Sequence, residues 1–171
     1  MILPLLQLLA FAAVAIYFGH RRAGLRRRNN QSWDSLLSRL RVDWSARELS
    51  DHFLWKEGLD ATPEDAWQRM EGPNGLWIMY QNSRVMLEMA DFAARNAGVD
   101  KLMLETLRSD AMQIRVCVLM CLAQYGFTQA SEGVRVNAYR AAALYTGMAA
   151  RMTELLQNHA AGVLPDFVAA M

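Results

Sequence analysis

The chain has 171 residues, 53% of them hydrophobic, with 18 basic and 17 acidic side chains, a net charge of +1 and two cysteines. That length suits one domain with a single core, and two cysteines are too few for a disulfide framework. Balanced charge without a basic stripe of interleaved aromatics argues against a nucleic-acid binder.

The charge is nevertheless segregated. Residues 1–30 hold five arginines and no acid, which leaves residues 31–171 with thirteen basic side chains against all seventeen acids, near −4. Met1 to Gly19 is interrupted only by Pro4 and Gln7. As a helix rising 1.5 Å per residue it reaches about 28 Å, close to the ~30 Å hydrocarbon core. Pro4 falls in the first turn, where its missing N–H costs nothing. Residues 1–19 are therefore expected to form a single transmembrane anchor. Residues 20–30 follow as a basic juxtamembrane segment, in which Arg21, Arg22, Arg26, Arg27 and Arg28 meet anionic headgroups and hold the C-terminal side in the cytoplasm with the N-terminus out. A cleaved secretory signal ending at Ala13-Val14-Ala15 fits less well, because its positive charge belongs before the apolar stretch. Ala15 and Gly19 form a small-xxx-small pair through which anchors of two copies can touch, a route to a homo-oligomer.

Residues 31–171 predict an all-α cytoplasmic bundle of three short helices followed by three long antiparallel ones. The first short helix runs from Ser32 to Arg41, with Trp33, Leu36, Leu37 and Leu40 on one face. The second begins at Ser45, where Glu48 completes a capping box, and ends at Gly58. The third begins at Thr62 with Pro63 and Asp65 in the capping positions and stops at Gly72-Pro73-Asn74-Gly75. A long helix from Gly75 to Ala97 places Leu76, Met79, Tyr80, Met86, Leu87, Met89, Ala90 and Ala93 on its apolar face, and Gly98 closes it. From Asp100 to Tyr125 the core positions are Leu104, Leu107, Ala111, Ile114, Val118, Cys121 and Tyr125, with Gly126 as the stop. From Thr128 to Asn158 they are Val134, Ala138, Ala141, Tyr145, Met148, Met152 and Leu155. Sustained 3-4 spacing with short connections means antiparallel neighbours at shallow angles. A dimeric coiled coil along the same seam is the alternative, disfavoured because the flanking positions lack systematic Glu/Lys pairs. Gly147, costly inside a helix, predicts close approach of a neighbour.

Few groups invite chemistry. Cys117 and Cys121 share one helix face, but two thiols cannot close a zinc site and their parallel Cβ directions suit no disulfide, so they read as small core hydrophobes. Glu48 and His52 stand one turn apart, and Glu88 and Asp91 interrupt an apolar stretch. Pointing inward, with Arg115 or Arg140 as counter-ions, the acids would suggest a site; as the solvent edge of a buried helix they would not. We expect no cofactor and no metal. Tryptophans at 33, 44, 55, 67 and 77 give one anchor per short helix, and Trp44, Trp55 and Trp67 are the candidate partner-binding residues. The expected function is a single-pass interaction or scaffold protein of a membrane-associated assembly, with membrane lipids and an unidentified protein as partners. A bundle binding an apolar ligand or lipid is the alternative, and an enzyme built on Glu48, His52, Glu88 and Asp91 is the third reading.

Overall fold

The computed structural model describes residues 32–42 and 62–171. The expected anchor, its five arginines and the helix from Ser45 to Gly58, with Trp44, Trp55, Glu48 and His52, lie outside the described residues. Trp33 to Met171 is one compact unit, all helical among the described residues. Its elements are α1 (Trp33–Leu37), α2 (Pro63–Arg69), α3 (Pro73–Ala97), α4 (Lys101–Thr128), α5 (Glu132–His159) and, after a 3-10 turn at Ala161–Val163, α6 (Leu164–Ala170).

The three long helices pack side by side. Across α3 and α4, Tyr80 meets Arg115 while Asp91, further along, meets Arg108, so the two run in opposite directions. Across α4 and α5, Gln124 bonds Asn137 and Asp110 bonds Arg151, again antiparallel. The heptad positions fill the space between them. Leu76, Met79, Met86, Leu107, Ile114, Tyr145, Met148 and Met152 are fully buried, while Tyr80, Leu87, Leu104 and Tyr125 pack at the margin. Burying a Leu or Ile side chain is worth about 1.5–3 kcal/mol, which makes these seams the main source of stability.

α2 begins as its sequence requires. Thr62 Oγ1 accepts from the Asp65 N–H at 3.2 Å, and the Thr62 N–H donates to Asp65 Oδ2 at 3.0 Å. Trp67 then packs against Tyr125, ring centroids 5.7 Å apart, and Glu64 pairs with Arg135 of α5. α1 lies on α3 through buried Leu36 and Leu40 and an edge-on contact of Trp33 with Phe92 at 4.9 Å.

Several boundaries differ from expectation. The turn at residues 72–75 is shorter: Glu71 and Gly72 take positive φ of 56° and 60°, and α3 has already started at Pro73. Gly75 lies inside that helix, where a Cβ would collide with the Met70 carbonyl oxygen. Gly126 does not stop α4, which continues to Thr128; the left-handed turn falls at Gln129, with φ of 51°. α5 therefore starts at Glu132 instead of Thr128. Gly147 faces no close helix, since a Cβ there would meet only Arg151 Nη1 at 3.6 Å. α6 was not expected. It covers one end of the core with Phe167, which is 2% exposed.

Candidate interaction surface

Glu88 and Asp91 sit on the outward edge of α3, and each is engaged by arginine. Arg39 donates to both Glu88 carboxylate oxygens at 2.6 and 3.0 Å, and Arg84 Nε adds a third contact at 3.3 Å. Burial pushes the Glu88 carboxyl up, but the Arg39 and Arg84 hydrogen bonds and charges outweigh it and hold the group below its ordinary range. Asp91 accepts from Arg108 at 2.9 Å, and Arg108 also holds Glu105. The counter-ions are thus Arg39, Arg84 and Arg108, and not the Arg115 or Arg140 named for acids pointing inward. The two acids serve two separate joints, α1 to α3 and α3 to α4.

The cysteines are part of the packing. Cys121 is buried, its thiol pushed up to about 11 by desolvation with a smaller contribution from Cys117, and its Sγ lies 3.9 Å from the Val134 carbonyl oxygen. Such a thiol stays protonated and unreactive near neutral pH. Among the described residues no three His, Cys, Asp or Glu side chains are grouped to hold a metal ion.

A buried polar joint was not foreseen. The Asn82 side chain, fully buried, accepts from the Arg41 N–H at 2.9 Å and donates to the Arg41 carbonyl at 2.9 Å and to Tyr145 Oη at 2.9 Å. Tyr145 in turn donates to Met171 Sδ at 3.6 Å. One amide therefore clasps the backbone that follows α1 and ties it to α3, α5 and the last residue. An Asn inside an apolar heptad run is the sequence signal for such a joint.

The tryptophans divide. Trp67, a candidate partner residue, is 8% exposed and belongs to the core, which leaves little of it for a partner to touch. Trp77, given no special role above, is 44% exposed and stacks on Tyr80 at 5.2 Å, with the Arg115 guanidinium 5.5 Å from the Tyr80 ring on its way from α4. Beside Arg115 the outer face of α4 is apolar over four turns: Met112, Val116, Leu119, Met120 and Phe127 are all exposed, Phe127 to 92%. By length and composition α4 is also the one described helix able to cross a membrane. In this fold it packs along both α3 and α5 and carries Asp110, 11% exposed at its side chain, against Arg151 at 2.5 Å. No family model, curated protein or solved structure matches the chain.

Proposed function

We propose that the protein is a single-pass membrane-anchored interaction or scaffold component, with residues 1–19 in the bilayer and the helical bundle on the cytoplasmic side. The apolar run with five arginines directly behind it carries the reading. The bundle supports it in two ways. Its acids Glu88 and Asp91 are spent on arginines that join helices, and most of the exposed large apolar side chains among the described residues lie on α4. Stacked Trp77 and Tyr80 with Arg115 add the residue types that dominate binding hot spots.

Fractionation of cells expressing the full chain tests the anchor. The protein should stay with membranes through salt and alkaline carbonate. Leu8→Arg with Leu9→Arg, each costing about 2.5–3.5 kcal/mol at a span centre, should release it. A native chain that washes off in alkali defeats the proposal. A double variant that remains in the pellet moves the membrane contact elsewhere, with α4 the first segment to examine. Alanine at Trp44 or Trp55 should weaken assembly with partners, whereas alanine at Glu48 or His52 should not; loss of activity at either of the latter would restore the enzyme reading.

A further inference from the structure

We propose that the outer face of α4 is a dimerisation seam, met in antiparallel fashion by the same face of a second copy of this chain. α4 carries two heptad seams. The inner one, Leu107, Ala111, Ile114, Val118 and Cys121, is buried in the bundle. The outer one, Ser109, Met112, Val116, Leu119, Ala123 and Gly126, keeps the same 3-4-3-4 spacing and is exposed at every position. A stripe with that period matches the knobs of another helix laid along it at a shallow angle, which a flat lipid surface does not require.

Self-complementarity points to a second copy. In the antiparallel register that sets Val116 opposite Leu119 of the other copy, Met112 falls opposite Ala123 and Ser109 opposite Gly126. Met112 then meets the small Ala123 on either side of a central Val116–Leu119 contact, the large-on-small arrangement that close packing favours. A parallel pair would instead set Ala123 on Ala123 and Gly126 on Gly126, leaving one end loose while Met112 crowds Met112 at the other. The area also suffices. The five exposed apolar side chains present on the order of 500 Å², near the top of the range for a monomer's largest patch. Burying one such face on each copy removes about 1,000–1,200 Å², the lower edge of specific interfaces. A symmetric pair of this kind is closed, so it ends at two copies.

This proposal rests on reading the protein as an interaction module, but it does not need the anchor. It is tested with the full chain carrying Cys117→Ala, two differently tagged copies being co-expressed and oxidised in intact cells with copper phenanthroline. A Met112→Cys copy should cross-link to an Ala123→Cys copy at least fivefold more than either links to itself. Adding Val116→Glu and Leu119→Glu, both solvent-facing, should lower that link at least tenfold while the far-UV circular dichroism of the purified protein is unchanged. Preferential Met112→Cys self-linking would indicate a parallel pair and overturn the register. Absence of any link, with a monomeric mass by sedimentation, overturns the dimer whatever else covers the stripe. Alkaline extraction of the same cells separates the two readings: a membrane-retained monomer sinks only the dimer, and a cross-linked chain that washes off sinks only the anchor.

Discussion

Asn82 shows how much of the fold hangs on single side chains. Its fully buried amide serves two backbone groups and one hydroxyl, so removing it takes a hydrogen-bond partner from each of the three. Asn82→Ala should cost about 1–3 kcal/mol, and amide exchange at residues 33–42 should quicken well before the long helices do. Equal protection in both would mean that α1 does not depend on the clasp. Glu88 adds a pH dependence to the same joint. Its folded-state carboxyl is held below the ordinary value of 4.5, so its contribution is present above that value and is lost as pH falls through the depressed folded value. Acid titration should therefore release α1 first, seen as a change in Trp33 fluorescence, and Arg39→Ala should remove much of that pH dependence. None of this was legible in the sequence, which marks an Asn or a Glu in an apolar run but not the backbone or cation that will meet it. The Glu88 and Asp91 pairings depend on α1 and α4 arriving from 49 and 17 residues away.

At the scale of the helices, periodicity was informative throughout and punctuation only in part: the Thr62 capping box and the Gly98 stop hold, while the turn at residues 72–75 and the stop at Gly126 do not. The inner residues of α3, α4 and α5 follow from their 3-4 spacing because a long amphipathic helix buries one stripe and little else competes. Ile114→Ala or Leu107→Ala, both at 0% exposure, should cost about 2–5 kcal/mol in chemical denaturation; tolerance at both would reject the packing. Gly98 closes α3 in the left-handed conformation as expected, but Gly126 does not close α4. Gly126 stays helical because nothing at that point forbids it, whereas Gln129 takes the left-handed turn. Gly147 was expected to admit a neighbouring helix, yet the space beside it is open. Gly147→Ala should thus stabilise by up to about 1 kcal/mol, raising Tm by about 2–4 °C, and a loss of stability would show an unseen close contact. The outer stripe of α4 was readable as a second 3-4 series, but an apolar residue is first assigned to the core, and two seams on one helix look like a single hydrophobic segment. α6 is seven residues long and too short for periodicity to announce.

For the whole molecule the charge asymmetry is the organising property. Five arginines stand just after the apolar run, while residues 31–171 are near −4, so on the membrane-anchored reading proposed above attraction to an anionic leaflet would be confined to one short segment. Replacing Arg21, Arg22, Arg26, Arg27 and Arg28 with Gln should weaken or invert orientation, measurable by protease access to the bundle in sealed vesicles. Unchanged topology would show that these charges do not set it. The bundle itself should be indifferent to that change, because its joints are internal: Arg39 to Glu88, Arg108 to Asp91, Arg151 to Asp110.

The Asn82 clasp has a mechanical consequence. Residues 33–42 are docked on α3 before the chain goes on to α2, so a pull arriving at Trp33 meets α1 and the Arg41 backbone before α2. The load falls on Leu36, Leu40, the Trp33–Phe92 contact, the Arg39–Glu88 pair and one amide, a small patch in series with a much larger core. Tension arriving at Trp33 would load that patch before the three long helices, so the patch acts as a fuse that yields while they keep their shape.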